Sequence, residues 1–185
     1  MTCNTIILAS ASPRRKEILG NHNIPFRVEV SEVDESHDDM LPKDLVMELS
    51  RRKAKVIAEK FPNDIIIGAD TVVSINERIL EKPVDDEDAF NMINMLQGKS
   101  HQVYTGVTII SPKKDITFSE KTDVYVHKMS PEEIREYIDS GEGRDKAGSY
   151  AIQGVFGKYI DKYEGDYENV VGLPGDRVEE IIKQL

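Results

Sequence analysis

"DIIIGADTVVSI", Asp64 to Ile75, is apolar almost without interruption. A strand with one wet face alternates apolar and polar residues, whereas a strand covered on both faces reads as a continuous run. The stretch therefore predicts a strand inside a sheet with helices on either side. Its flanks supply those helices. "LPKDLVMELSRRKAKVIAEKF" predicts a long helix from Pro42 that stops before Pro62. "DDEDAFNMINMLQG" predicts another, with an acidic first turn and Gly98 as its stop. Further out, Thr5 to Ala9 is a short apolar strand, and Ser12-Pro13 caps a helix ending near Gly20. "PFRVEVSEVDE" alternates and reads as a strand through Val30 or Val33. "HQVYTGVTII" and "ITFSEKTDVYVH" are long strands joined by the hairpin connection "SPKKD". Ser130-Pro131-Glu132-Glu133 opens a helix to about Gly141. "GEGRDKAGSYAIQGVFG" is glycine-rich and aperiodic, a functional or flexible loop. A short strand "KYIDKY", a loop "EGDYENVVGLP" and a helix from Pro174 follow. The pattern predicts an α/β chain, with a mixed sheet flanked by helices in two lobes around a cleft.

The 185 residues suit one domain, 1–185, able to bury roughly 70% of its unfolded surface. The single cysteine, Cys3, excludes an internal disulfide and any two-cysteine metal site. "NTIILAS" is too short for a signal or membrane segment and runs into arginines, so a cytoplasmic protein with no membrane partner is expected. A net charge of −10 argues against binding nucleic acid, which needs a basic face. A small anionic ligand would instead need the chain's cations gathered locally.

Several residues break their local rules. Arg14, Arg15 and Lys16 crowd a helix start, where acids belong. A serine-rich turn into a helix offers backbone N–H groups, and two guanidinium forks suit phosphate oxygens. Pairing with the chain's own carboxylates is the plainer account. Asp70 interrupts the apolar run. A carboxylate there can bind a divalent cation or orient a water, or it can simply accept from nearby turn amides. At about 100° per residue, Lys53 falls within the stripe of Leu45, Val46, Leu49, Val56 and Ile57, while Arg51, Arg52 and Lys55 fall outside it. It either points inward as a functional cation or snorkels along the core edge. Lys82 and Glu32 are locally unremarkable. His101 and Thr105 share a strand face with Val103 and Val107, which predicts core or hydrogen-bonded structural roles. Gln153 carries the donor and acceptor that reading a base edge requires, as do many idle loop glutamines. No P-loop, dinucleotide-binding glycine motif, zincin motif or serine-hydrolase elbow is present.

"LASASPRR", "SEVDE", "KAK", "IIGADTVV", "KP", "HQVYTGV", "DKAGSYAIQG" and "GDYENVVGLP" resemble, in order and spacing, the Maf (septum formation inhibitor) family of nucleotide pyrophosphatases, across essentially the whole chain. The resemblance implies a curved mixed sheet like that of inosine triphosphate pyrophosphatases. It also implies a cytoplasmic homodimer that hydrolyses nucleoside triphosphates to monophosphate and pyrophosphate with Mg or Mn. It assigns catalysis to Asp70, Lys53 and Lys82, with Asp70 as the base. Substrate binding falls to Ser10, Ser12, Arg14, Arg15, Thr71, Lys146 and Gln153, and metal binding to Glu32 and Asp70. Arg14, Thr71 and Gln153 match the branch acting on dTTP and UTP, with CTP and modified pyrimidine nucleotides as further candidates. Glu81 departs from the family's usual glycine. Three rivals are a 7-methyl-GTP pyrophosphatase of the same family, a non-catalytic nucleotide-binding regulator of septum formation, and a metal-dependent phosphatase releasing orthophosphate.

Overall fold

The apolar run becomes one strand in a seven-stranded mixed sheet. The computed structural model describes residues 4–185, so Cys3 lies outside the described residues. In chain order the strands are β1 (Ile6–Leu8), β2 (Arg27–Val28), β3 (Ile65–Ile75), β4 (Arg78–Leu80), β5 (Ser100–Ile110), β6 (Asp115–Val126) and β7 (Ile160–Glu164). The helices are α1 (Pro13–Asn21), α2 (Pro42–Lys60), α3 (Asp86–Leu96), α4 (Pro131–Asp139), α5 (Tyr167–Val171) and α6 (Gly175–Lys183). The sheet order is β2-β1-β3-β5-β6-β7, with β4 also paired to β3. β1 runs parallel to β2 and β3, while β4 is antiparallel to β3 and β7 to β6. No helix among the described residues is long and apolar enough to cross a membrane.

Three expectations change. The second strand is only Arg27–Val28, because the alternation that follows it belongs to largely exposed chain. β4 was not expected. It follows a tight turn in which Asn76 and Glu77 both take positive φ, 51° and 64°, without the Asn-Gly pair that marks such turns. Within "EGDYENVVGLP" the chain forms the short helix α5.

Contacts gather into two compact units. One holds the chain up to Thr71, Thr105–Glu120 and Gly172–Leu185; the other holds Val72–Tyr104 and Lys121–Val171. In the first unit, α2 lies directly on β3 and β5 at two glycines. A Cβ on Gly68 would stand 2.4 Å from the Ser50 carbonyl oxygen, and one on Gly106 would stand 2.1 Å from that of Val46. No side chain fits there, so backbone meets backbone. Ile7, Ala9, Ala54, Ile57 and Ile66 pack beside this seam, and Ser50 Oγ lies 2.9 Å from Thr108 Oγ1. The second unit has its own core around the fully buried Phe156, with Ile93, Leu96, Val124 and Ile134. There α4 begins with the reciprocal Ser130–Glu133 capping box.

Candidate active site

The close seam between α2 and β3 decides where Lys53 goes. Gly68 faces α2, and strand side chains alternate, so Asp70 faces α2 as well. Lys53 Nζ donates to Asp70 Oδ1 at 2.6 Å and pairs with Glu35 Oε1 at 2.8 Å. The Lys53 and Asp70 side chains are 13% and 12% exposed, whereas Arg51, two residues earlier, is 50% exposed. Lys53 therefore points inward to Asp70, unlike Arg51. The partner that Asp70 meets is likewise an ammonium rather than a set of turn amides.

Thr71 faces the other way. Its Oγ1 lies 2.8 Å from Thr105 Oγ1 and 3.3 Å from the Gly172 carbonyl oxygen, and it accepts from Arg15 Nη2 at 3.1 Å. Arg15 also donates from Nε to the Gly172 carbonyl at 2.8 Å and from Nη1 to Ser10 Oγ at 3.2 Å. Ser12 caps α1 by accepting from the Arg15 backbone N–H at 3.5 Å, and its own N–H donates to Ser10 Oγ at 3.2 Å. The three Arg15 side-chain bonds go to neutral oxygens, so its positive charge is not cancelled within them. Burial pulls the Arg15 pKa below the ordinary arginine value. The Asp70 charge opposes this, the Arg14 charge adds to it, and the Glu35 charge opposes it. Asp70, Arg14 and Glu35 thus each lie close enough for their charge to act on the Arg15 guanidinium. Ser10, Ser12, Arg14, Arg15, Lys53, Asp70 and Thr71 all belong to the first unit.

Lys82, Lys146 and Gln153 belong to the second. Lys82 and Gln153 are exposed. Lys146 Nζ donates to the Glu142 carbonyl at 2.7 Å and to Asp145 Oδ1 at 2.8 Å. The loop carrying Lys146 and Gln153 is stitched rather than loose. The Glu142 carboxylate accepts from the Val155 and Phe156 N–H groups at 2.7 and 3.2 Å, and the Gly148 N–H donates to the Glu81 carbonyl at 3.1 Å. His101 is fully buried, 2.6 Å from the Tyr150 hydroxyl. Its structural reading, like that of the buried Thr105, is borne out.

Glu35 is the residue that sequence reasoning missed. "SEVDE" offers Glu32, Asp34 and Glu35 as equal acids, and no local signal says that Glu35 meets Lys53; Glu32 is exposed. A separate group, His22, Asp176 and Glu179, brings three possible ligand atoms within 4.8 Å of one another. In it His22 Nδ1 lies 3.0 Å from Glu179 Oε2, fastening the end of α1 to α6.

A family model described as Maf-like protein matches residues 5–185. The dTTP/UTP pyrophosphatase of Koribacter versatilis is 48% identical over 182 residues, 97% of this chain and 93% of that protein. Proteins of the same name from Thermoanaerobacter sp. and Bacillus cereus (strain G9842) are each 48% identical over 97% of this chain and 95% of their own length. Among solved structures, the Staphylococcus aureus Ham1 protein is 14% identical and covers 66% of this chain and 72% of its own, with a TM-score of 0.44. A likeness that slight carries no argument.

Proposed function

We propose a function from one premise: this chain belongs to the Maf-like protein family. It hydrolyses dTTP and UTP between the α and β phosphates, yielding the nucleoside monophosphate and pyrophosphate. The observation that carries this reading is the Lys53–Asp70 pair at 2.6 Å, in the same unit as an arginine whose hydrogen bonds go to neutral oxygens. Relatives at 48% identity that bear the dTTP/UTP pyrophosphatase name support the choice of substrate.

Lys53 holds the Asp70 carboxylate in place by one charge-assisted bond. Asp70 takes a proton from the attacking water, whose oxygen forms the new bond to phosphorus as the anhydride oxygen leaves with pyrophosphate. Arg14 and the Ser10–Arg15 turn meet the triphosphate. Arg15 has spent three of its five N–H donors on Gly172, Ser10 and Thr71. It therefore acts as a fixed charge on a rigid base rather than as a flexible clamp. Lys82 adds catalytic charge, Lys146 binds substrate, and the Gln153 amide pairs with the base.

The donors present fit a hard divalent cation. Asp70 and Glu35 bring carboxylate oxygens, the hard donors such an ion prefers, to the same ammonium. Asp70 and Glu35, with Glu32, are the residues that would hold Mg or Mn. When bound, such an ion supplies charge neutralisation at the phosphate oxygens. The proposal extends to a homodimer working in the cytoplasm, in a house-cleaning role tied to cell-division arrest.

The test is product analysis. Purified protein is incubated with dTTP, UTP, CTP and 7-methyl-GTP, with magnesium and with a chelator. Pyrophosphate from dTTP and UTP, lost on chelation, supports the reading. Orthophosphate, a preference for 7-methyl-GTP, or binding without turnover would each overturn it.

A further inference from the structure

His101, on β5, is an expensive residue for its position. Its ring is fully buried, Nε2 lies 2.6 Å from the Tyr150 hydroxyl, and Nδ1 is buried with no partner. A buried polar nitrogen left unpaired costs about 1–3 kcal/mol, while apolar side chains replacing both partners are nearly neutral or stabilising. The Tyr150 hydroxyl is buried as well, and burial pushes its pKa far above the ordinary tyrosine value. Stability therefore does not account for this pair, and rules broken at such cost mark functional positions.

What the pair holds is the loop. Tyr150 lies between Lys146 and Gln153, edge-on to His101 with ring centroids 5.3 Å apart and 4.8 Å from the Phe156 ring. The neighbouring backbone is held against its own preference. Ser149, a non-glycine residue, sits at φ 61°, and its carbonyl accepts from the Tyr137 hydroxyl at 3.1 Å. A strained turn keeps its shape only where its surroundings over-determine it. The His101–Tyr150 bond ties that turn to a sheet strand.

We propose that His101 is a positioning residue: acting through Tyr150, it fixes the segment that carries Lys146 and Gln153 and so sets the discrimination among nucleotide bases. This rests on the nucleotide-hydrolysing function proposed above. Three proteins test it: the double variant His101→Leu/Tyr150→Phe, the single variant Tyr150→Phe, and His101→Gln, whose amide nitrogen takes the place of Nε2. The readouts are the unfolding midpoint, amide hydrogen exchange over residues 146–153, and kcat and KM for UTP and CTP. The double variant is expected to unfold at or above the wild-type midpoint, to exchange at least about tenfold faster in that segment, and to raise KM for UTP about fivefold or more with kcat within about twofold. Its preference for UTP over CTP narrows accordingly, and His101→Gln restores most of it. Unchanged exchange and unchanged base preference, with only a lowered midpoint, would overturn the proposal. Should the double variant fail to fold, Tyr150→Phe decides by the same readouts. A wild-type protein that hydrolyses no nucleotide sinks the hydrolase reading instead, and the exchange rates then decide the positioning role alone.

Discussion

Between pH 7 and 4 a proton binds His101 in the unfolded chain well before it binds in the fold. Burial pulls the native imidazole from the ordinary 6.5 down to about 4, against the opposing charge of Asp123. Across that window the unfolded state holds the extra proton, so stability rises with pH there. The contribution is fully present above about pH 6.5 and is lost as pH falls toward 4. The full gap corresponds to about 3 kcal/mol, of which about 2 kcal/mol is already gone at pH 5. Against a total stability of about 5–15 kcal/mol this is a large fraction. Urea unfolding of wild type and His101→Leu, measured at intervals from pH 7 to pH 4, isolates the effect. Carboxylates remote from the ring titrate alike in both proteins and cancel in the difference, whereas Asp123, coupled to the imidazole, contributes to the measured effect. The stability of wild type relative to the variant should fall steadily with acid. A difference that stays flat within about 0.5 kcal/mol across the range would show that the imidazole is hydrated or charged in the native state, and the burial argument would fail.

Asp70→Asn should keep the fold, since the amide oxygen still accepts from Lys53, and should lose turnover about a hundredfold or more; pyrophosphate release at the normal rate would remove Asp70 as the base. Gln153→Glu, at an exposed position, should leave the unfolding midpoint unchanged while weakening dTTP and UTP turnover; equal losses in stability and turnover would make the glutamine structural. Arg15→Lys cannot reproduce bonds to Gly172, Ser10 and Thr71 together and should cost about 1–3 kcal/mol in chemical denaturation. Gly106→Ala puts a methyl group 2.1 Å from the Val46 carbonyl oxygen, so α2 must move; a loss of about 2 kcal/mol or more is expected, and an unchanged midpoint would contradict the close seam.

Much was legible in the chain itself, because the signals are local. A continuous apolar run marks β3, Ser12-Pro13 and Ser130-Pro131 mark helix starts, and the phase of one helix singles out Lys53 among four neighbouring cations. Asp70 stands out for the same reason, as a charge where burial was already implied. Partners are another matter. Glu35 rather than Glu32 meets Lys53, and Arg15 is anchored by a carbonyl 157 residues away, because hydrogen-bond partners depend on which backbones converge in space. The Asn76-Glu77 turn, the stitched loop around Tyr150 and the unpaired Nδ1 of His101 were equally invisible, since positive φ at ordinary residues and the partners of a buried ring are set by neighbours far along the chain. Period and composition settle what each segment is; only packing settles what each side chain touches.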